Sequence, residues 1–458
     1  MPSVFDYFAK YIVFPLQAIG EKSGIPRLLR EFEKSQFLSR ARIRQLQLDR
    51  LKALLIHAYN NTRFYRDRFD QAGFDPTNTR SLDDIGSIPL LTKEDIQRHK
   101  EIMRARNYGD DMIVPDKTGG STGRPLHFYL DNTRVFSRAA AALRHDRWTG
   151  WDIGEKSAYL WGHRGDLGEA TSIKAKFRNV LLDRRIVLDT SSITAEKLAA
   201  FKKQLIRFRP EIYVAYANSV YLFARYLKEM RSADHHRPKA IITSAELLDF
   251  EQRRLIESVF GCEVYDRYGS RETSIIASEC GSHTGLHICA EALYIEFIKD
   301  GKPAGPERPG KIIITDLLNY GMPFIRYQIE DVGMAIDQAC PCGRGLPLMK
   351  IAGGRMTDFL VTPDGRIISG ASLTIYLIAN APGVAQAQIL QERRNEIVLK
   401  IVRNEKFGEE SLQFFEREIP RFFGTGMRYD LEFVEQIPLE SSGKYRFSIS
   451  RIDPAEMF

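Results

Sequence analysis

Residues 118–125 combine three glycines with three hydroxyl residues in the order Thr-Gly-Gly-Ser-Thr-Gly-Arg-Pro. Glycines let the backbone approach a ligand closely, and successive N–H groups with nearby hydroxyls can surround phosphate oxygens. The segment lacks the Gly-Lys-Ser/Thr ending of the nucleotide P-loop, and its glycine spacing differs from the dinucleotide fingerprint. The β-prone residues 126–130 follow directly, so we expect a hairpin loop. Phosphate binding and an ordinary surface turn are the two alternatives for this loop.

Two later segments place polar side chains directly after predicted strands. Residues 244–246, Ser-Ala-Glu, follow one strand, and the segment from Tyr268 to Glu272 follows the next. Ligands of open α/β sheets bind beyond the carboxyl ends of the strands. A tyrosine there could cover a base, and a carboxylate could hold Mg²⁺ near phosphates. The alternative for Glu272 is a solvated or salt-bridged carboxylate.

Cysteine and histidine residues form a second group with chemical potential. Cys280 precedes His283 by three positions, and Cys340 and Cys342 are separated by one proline. Thiolates and an imidazole fit a tetrahedral zinc site, and four protein ligands would make it structural. His287 is the alternative histidine ligand. Strand-like sequence between the two halves could bring them together; four unrelated residues are the other interpretation.

A pocket for an organic substrate has the weakest signal. Trp161 ends a predicted strand and precedes His163, and Tyr216 ends the next predicted strand. These side chains could line a pocket, and a core or loop position is an equal alternative for His163.

Composition limits the class of protein. The chain has 458 residues, 43% hydrophobic and 27% charged, which indicates a globular protein of more than one packed unit. Lys plus Arg exceeds Asp plus Glu by 66 − 59 = 7, a mild excess that suits anionic small molecules. Basic residues are not interleaved with aromatic ones in any block, so we expect no nucleic-acid partner.

The sequence also predicts a compartment. It contains no run of about 20 apolar residues that could span a bilayer, and its first residues make a poor secretory signal. Five cysteines, an odd number in a long chain, favour a reducing environment. We therefore expect a cytoplasmic protein without stable membrane insertion, with Cys262 and Cys289 in the apolar core.

The first hundred residues show helical periodicity. One apolar face, expected to pack on its own domain, comprises Ile43, Leu46, Leu51, Leu54, Leu55 and Ala58. A second apolar series at the N-terminus comprises Val4, Phe5, Phe8, Tyr11 and Ile12. Docking on a membrane surface is an alternative for that series, although little positive charge lies nearby in the sequence.

The remaining chain predicts an α/β fold. Short β-rich runs alternate with helical stretches up to about residue 290, which indicates parallel strands. Further on, strand-like runs joined by turns indicate an antiparallel or barrel-like part. We expect an N-terminal domain over residues 1–357, built of layered α/β subdomains with a zinc-stabilised β-rich part at 280–350. A small mobile α+β domain over residues 358–458 would follow.

The order and spacing of these segments, over nearly the whole chain, resemble the adenylate-forming superfamily of acyl-CoA synthetases, adenylation domains and luciferases. The phenylacetate–CoA ligase-like branch, including members from capsular polysaccharide clusters, is the most similar. The resemblance implies that ATP and a carboxylic acid give an acyl-adenylate and pyrophosphate, with Mg²⁺. The acyl group would then pass to coenzyme A; an amine or hydroxyl acceptor and an inactive nucleotide-binding protein are alternatives. A monomer or a homodimer is expected.

The resemblance assigns nucleotide contacts. Ala245 and Glu246 match the segment that lines the adenine pocket, and Tyr268 matches the tyrosine that stacks on adenine. Glu272 matches the glutamate that assists Mg²⁺, and Asp331 matches the aspartate that holds the ribose hydroxyls. The family's phosphate loop matches Thr118, Gly119, Gly120, Ser121, Thr122 and Gly123.

The resemblance also assigns the moving parts. Arg355 would lie near the nucleotide, and Asp358 would be the hinge between the two domains. Lys444 matches the catalytic lysine of the C-terminal loop. Because this lysine lies far along the chain, domain closure would have to deliver it; a solvated surface lysine is the alternative.

Two residues and one short segment depart from the family pattern. Arg271 stands where many relatives have a small hydroxyl residue, and Arg124 stands where relatives often have lysine, which keeps the charge but changes the geometry. Residues 361–365 follow the hinge in place of the usual basic residue and glycine. These departures concern substrate contacts, the hinge rotation and the thiol step.

Overall fold

The computed structural model describes residues 3–118, 126–162, 173–191, 193–232, 234–353, 356–357, 359–370, 373, 377–437 and 446–452. These segments form a mixed α/β fold with one 12-stranded and one five-stranded sheet, which confirms the predicted class. Among the described residues, no helix combines the length and apolar character needed to cross a bilayer.

Helices dominate the first hundred residues. A π-helical segment, Ala9–Val13, joins the first two. Helix α4 begins after Ser39, whose hydroxyl accepts a hydrogen bond from the backbone of Arg42. Five of the six residues of its predicted apolar face are buried in the main core, and Leu46 is half-buried. The helices are α1 Val4–Phe8, α2 Phe14–Gly20, α3 Ile25–Ser35, α4 Arg40–Asn61, α5 Arg63–Gln71 and α6 Lys93–Met103.

The predicted hairpin is present. Strands β1 (Ile113–Lys117) and β2 (His127–Asp131) pair antiparallel, and Thr118 closes the pair by donating its N–H to the Leu126 carbonyl over 3.0 Å. Helix α7 (Asn132–Trp148) follows β2 at once, because the Asp131 carboxylate caps its first turn.

Five parallel strands form one half of the large sheet, in the order β4-β3-β5-β6-β7. They are β3 Ser157–Trp161, β4 Arg185–Asp189, β5 Ile212–Tyr216, β6 Ala240–Ser244 and β7 Glu263–Ser270. Strand β5 is buried along its whole length, as expected for a parallel strand covered on both faces. The helices along this part of the chain are α8 Ile173–Arg178, α9 Ala195–Phe208, α10 Ala217–Glu229 and α11 Phe250–Phe260.

Seven antiparallel strands extend the same sheet. Strand β7 pairs antiparallel with the next strand along the chain, so the expected β-rich part continues the parallel half and is not a separate barrel. The strands are β8 Ser274–Glu279, β9 Leu286–Ile288, β10 Leu293–Lys299, β11 Lys302–Pro303, β12 Gly310–Asp316, β13 Tyr327–Ile336 and β14 Leu348–Gly353. Their order from β7 outward is β8-β9-β14-β13-β12-β10-β11.

The C-terminal segments form a smaller α+β body. Its five-stranded sheet has the order β15-β21-β18-β19-β20, and a separate hairpin pairs β16 with β17. The strands are β15 Met356–Thr357, β16 Phe359–Val361, β17 Ile367–Ser369, β18 Val384–Arg393, β19 Glu396–Arg403, β20 Arg428–Phe433 and β21 Arg446–Ser450. Helix α12 (Glu409–Phe423) buries Phe415, Ile419 and Phe423 in the same core as Ile389 and Ile397.

One backbone contact ties this body to the parallel half. Ile193 and Ile367 exchange two hydrogen bonds of 2.7 and 2.6 Å. Ile367 packs in the core beside the parallel sheet, whereas the next residue, Ile368, packs in the C-terminal core. Strand β17 therefore spans the two cores with successive side chains.

Candidate functional site

Strand pairing brings two of the predicted nucleotide-binding residues into contact. Tyr268 lies near the end of β7, and Asp331 lies in β13, which belongs to the antiparallel half. The Tyr268 hydroxyl donates to Asp331 Oδ2 over 2.7 Å. This bond fixes the tyrosine ring against a carboxylate 63 positions away in sequence.

Glu272 lies in the turn between β7 and β8 and is buried. The hydroxyl of Tyr327, itself fully buried, donates to Glu272 Oε1 over 2.9 Å. A buried carboxylate needs such a partner because its desolvation is otherwise unfavourable. The arrangement holds an acidic oxygen donor of the kind that Mg²⁺ prefers.

Helix α7 anchors this turn through two arginines. Arg134 is buried, donates from Nε to Asp316 Oδ2 over 2.6 Å, and also donates to the carbonyl of Thr273. Arg138 donates to the carbonyl of Arg271. The backbone on both sides of the turn's glutamate is therefore fixed by guanidinium groups.

Asp116 connects the turn to the glycine-rich hairpin. It lies in β1, and its carboxylate accepts from Arg138 Nη1 over 3.0 Å and from Arg271 Nε over 3.2 Å. Burial, with the charge of Arg134, lowers the pKa of the Arg138 guanidinium, and Asp116 opposes that shift. Asp116, Arg134 and Arg138 were not predicted as site residues. Their one signal in the sequence is the i,i+4 spacing of the two arginines on a helix that follows the glycine-rich loop.

The segment after β6 has a constrained backbone. Ala245 has φ +69°, a left-handed conformation that is uncommon for residues other than glycine. Glu246 accepts a hydrogen bond of 2.9 Å from the backbone N–H of Asn218, in the first turn of α10, where a carboxylate is favoured by the helix dipole. Gln252 in turn donates to the Asn218 side chain over 2.7 Å. Glu246 thus positions the loop between β6 and α11.

Aromatic rings occupy the same edge of the parallel sheet. Trp161 and Tyr216 end the neighbouring strands β3 and β5, and their ring centroids lie 4.5 Å apart. This places the two residues expected near the acyl pocket together. His163 lies outside the described residues.

Several predicted site residues also lie outside the described segments. Thr118 is described, and its hydroxyl accepts from the backbone of Leu126 over 2.9 Å, so it forms the base of the glycine-rich loop. The residues outside are Gly119, Gly120, Ser121, Thr122, Gly123, Arg355, Asp358 and Lys444.

The sheet assembles a four-residue group that could hold a metal ion. Its ligand atoms, from Cys280, His287, Cys340 and Cys342, all lie within 4.8 Å of one another. Cys280 Sγ lies 3.6 Å from Cys340 Sγ, and Cys342 Sγ lies 3.3 Å from His287 Nε2. Zinc bonds of about 2.3 Å to sulfur and 2.0–2.1 Å to nitrogen separate the ligands of a tetrahedron by roughly 3.5–3.8 Å. The observed distances are close to this range.

The structure places the alternative histidine, His287, in this group in place of His283. His283, the expected ligand, turns away with φ +48°, and its Nδ1 lies 3.2 Å from Glu279 Oε1. His287 takes its place because β9 pairs with both β8 and β14, opposite Ser278 and Leu348. That register carries its ring toward the turn containing Cys342.

Neighbouring groups influence the tautomer of the histidine and the pKa values of the cysteines. His287 Nδ1 lies 3.3 Å from the carbonyl of Leu346, which favours the tautomer with a free lone pair on Nε2. Burial raises the pKa of the Cys280 thiol to about 12. At Cys340 burial acts in the same direction, but hydrogen bonds from Thr284 and the Cys342 backbone lower the pKa to about 7. A cation would favour the thiolate at every position.

Of the two cysteines predicted in the core, Cys289 is buried, and Cys262 is partly buried against the core beside the parallel sheet.

A solved structure of a known enzyme shares the fold of this chain. The structure of 2-hydroxyisobutyryl-CoA ligase in complex with 2-HIB-AMP and CoA in the thioesterification state matches with a TM-score of 0.62 at 18% identity, covering 92% of each chain. The fold is therefore that of the adenylate-forming acyl-CoA ligases.

Sequence comparison then gives the relatives, and it confirms the resemblance inferred from the motifs. Residues 360–451 match the CapK C-terminal domain. Protein CapK of Staphylococcus aureus is 24% identical over 427 residues, 89% of each chain. Phenylacetate-coenzyme A ligases of Thermus thermophilus and Escherichia coli are 25% and 26% identical, covering 81% and 70% of this chain and 84% and 72% of theirs. The chain is thus a homologue of CapK and of the phenylacetate-CoA ligases.

Proposed function

We propose that this protein is an AMP-forming ligase that activates a carboxylic acid with Mg-ATP and transfers the acyl group to coenzyme A. One observation carries the proposal. The bonded pairs Tyr268–Asp331 and Tyr327–Glu272 converge where the parallel half of the sheet ends, and Asp116 links that turn to the glycine-rich hairpin.

Each residue has a role in this proposal. Tyr268, held by its hydrogen bond to Asp331, would present its ring to adenine, and Asp331 would accept from the ribose hydroxyls. The residues of the loop at 118–123 would donate to phosphate oxygens. Glu272 would hold Mg²⁺, whose charge offsets the repulsion between a carboxylate substrate and the triphosphate. The buried, hydrogen-bonded carboxylate fits such a hard cation.

The C-terminal body would supply the catalytic lysine. We propose that residues 1–357 bind the substrates and that residues 358–458 close over them about Asp358. Closure would bring the Lys444 ammonium to the developing charge at the α-phosphorus, where a preorganised cation stabilises the transition state. Arg355, near the same hinge, would contact the nucleotide.

Coenzyme A is the proposed acceptor because two of the relatives named above are phenylacetate-coenzyme A ligases. An amine or hydroxyl acceptor is the second candidate, favoured by the departure from the family pattern after the hinge, at residues 361–365. An inactive nucleotide-binding protein is disfavoured because Glu272, Asp331 and Lys444 are all present.

We also propose that Cys280, His287, Cys340 and Cys342 bind a structural zinc ion. Three thiol ligands and one imidazole are the donors that zinc prefers over harder cations. With four protein ligands the shell is closed, so the ion would stabilise the junction of β8, β9 and β14 and would not meet substrate.

The decisive experiment measures pyrophosphate release with Mg-ATP across a panel of aryl, fatty and hydroxy acids, each with and without coenzyme A. Release that rises with coenzyme A for one acid would support the ligase and name its substrate. Release without stimulation would favour another acceptor. ATP binding without release for any acid would contradict the enzymatic proposal.

Lysine variants test the mechanism. Lys444→Ala should reduce pyrophosphate release by at least a hundredfold, on the order of the loss from removing one charge-stabilising group, and should leave ATP affinity nearly unchanged. The matched control is Lys406→Ala, an exposed lysine of the same body. Equal release by both variants would refute the role of Lys444.

A further inference from the structure

The N-terminal segment from Ser3 to Gly20 turns most of its large apolar side chains to solvent. Its only charged residues are Asp6 and Lys10, and both face the protein body. Asp6 pairs with Arg184, and Lys10 pairs with Asp152 over 2.6 Å. The outward residues are Val4, Tyr7, Phe8, Tyr11, Ile12, Leu16 and Ile19, with exposed fractions of 88% at Val4 and 74% at Ile19.

A second segment with the same property lies beside it. Residues 173–183 comprise α8 and a π-helical turn, Asn179–Asp183, which packs against the π-helical turn of the N-terminal segment. Its outward apolar residues are Ile173, Phe177, Val180 and Leu181, and Ile173 and Val180 are 74% and 66% exposed. The two outward faces together form what we call the apolar surface.

Basic residues border the apolar surface. Lys174, Lys176 and Arg178 alternate with the apolar residues of α8 and are all exposed. The positive charge that the N-terminal sequence lacks is therefore supplied by a segment about 160 positions further along the chain. Aromatic and aliphatic side chains among lysines and arginines are characteristic of helices that lie in a lipid interface.

We propose that the apolar surface docks this protein on the face of an anionic phospholipid bilayer, as a peripheral attachment. The apolar side chains would enter the boundary between headgroups and acyl chains, and Lys174 and Lys176 would meet lipid phosphates, whereas Arg178 pairs with Asp183 over 3.2 Å. This inference does not depend on the proposed ligase activity.

Charge favours a lipid surface over a second copy of the chain. An interface with twofold symmetry places the same patch on both sides, so the lysines of one copy would face the lysine-bordered surface of the other. An anionic membrane instead attracts each lysine or arginine near its surface by about 1 kcal/mol, roughly a fivefold change in binding.

The test uses the full-length protein and sedimentation with two kinds of vesicle. One is pure phosphatidylcholine, and the other is phosphatidylcholine mixed with phosphatidylglycerol. We expect the wild-type chain to bind the mixed vesicles at least tenfold more tightly and to release as the salt concentration rises. A wild-type chain that binds neither kind of vesicle would overturn the proposal.

Two exposed pairs provide the variants. Lys174→Glu with Lys176→Glu should weaken binding to mixed vesicles by at least tenfold, and Phe177→Ser with Val180→Ser should weaken it to both kinds. The controls are Lys203→Glu and Met230→Ser, at exposed positions outside the apolar surface, which should bind as wild type. All four substituted proteins should keep the wild-type circular dichroism, because every altered side chain is exposed.

Two further results would contradict the proposal. Variants of the apolar surface that bind vesicles as well as the controls would show that another part of the chain makes the contact. A wild-type dimer by light scattering that Phe177→Ser with Val180→Ser converts to monomer, without vesicle binding, would assign the surface to self-association.

Discussion

The Tyr327 hydroxyl donates a hydrogen bond of 2.9 Å to the buried carboxylate of Glu272. Tyr327 begins β13, and Glu272 lies in the turn that starts β8, so the bond joins two non-adjacent parts of the large sheet. It restricts the rotamer of the acidic side chain that we propose holds Mg²⁺. A carboxylate that is fixed before the cation arrives loses little conformational entropy on binding.

Tyr327→Phe removes this bond and keeps the ring. We expect the Mg²⁺ concentration that half-saturates pyrophosphate release to rise about tenfold, as for the loss of a group that orients a metal ligand. Glu272→Gln should have the larger effect, at least a hundredfold in rate. The control is Tyr265→Phe, whose hydroxyl donates to Glu263 over 2.8 Å, and it should leave the Mg²⁺ dependence unchanged.

The buried ion pair Arg134–Asp316 should contribute strongly to stability. Arg134→Met leaves Asp316 as a buried charge without its guanidinium partner, and such losses cost about 3–5 kcal/mol in the free energy of unfolding. Equilibrium urea unfolding measures the difference. Arg417→Met, which removes an exposed partner of Glu418, should change the same quantity by less than about 1 kcal/mol. Similar losses in both variants would contradict the structural role of Arg134.

Local sequence patterns predicted some elements of this fold. Strand β5 is a continuous run of buried residues, and helix α4 has a periodic apolar face. Both patterns are visible in the sequence alone, because burial on both faces of a strand gives an apolar run and burial on one face of a helix gives a periodic series. The pairing of β7 with β8 had no such signal. Each strand is compatible with several neighbours, so the sequence suggested a separate β-rich part where the structure has one continuous sheet.

The candidate site, like the fold, was predicted only in part from the sequence. The spacing of Cys280, Cys340 and Cys342 indicated a metal site, but His283 and His287 both satisfied the spacing. The register of β9 against β14 distinguishes them, and register depends on pairing partners far away in sequence. The contacts of Arg134 were likewise beyond prediction, since its partner lies 182 positions away.

Asp266 predicts a pH dependence of stability. Burial, together with the nearby Glu279 carboxylate, raises its pKa to about 6. The folded protein therefore binds this proton more tightly than the unfolded chain. Its contribution to stability is complete below the pKa of an exposed aspartate, falls as the pH rises to about 6, and is constant above that pH.

The substitution Asp266→Asn isolates this effect. The asparagine amide oxygen can still accept a hydrogen bond from the Thr243 hydroxyl, as Asp266 Oδ1 does over 3.0 Å. The variant should gain stability relative to wild type between pH 4 and 7, by on the order of 2–3 kcal/mol. Urea unfolding across this range measures the difference. The exposed control Asp430→Asn should show a much smaller trend, and a constant difference for Asp266→Asn would contradict the shifted pKa.

The two histidines beside Cys280 provide the sharpest test of the metal site. His287→Ala removes a ligand whose Nε2 lies 3.3 Å from Cys342 Sγ, so elemental analysis should find zinc lost from the purified protein and the melting temperature should fall. His283→Ala should retain one zinc per chain, because its ring contacts Glu279 and lies outside the ligand group. Chelation should lower the melting temperature of wild type and His283→Ala and leave that of His287→Ala unchanged, since bound metal stabilises only the folded chain that holds it. Zinc retained by His287→Ala and lost by His283→Ala would show that His283 is the ligand. Wild-type protein purified without zinc would refute the proposed metal site.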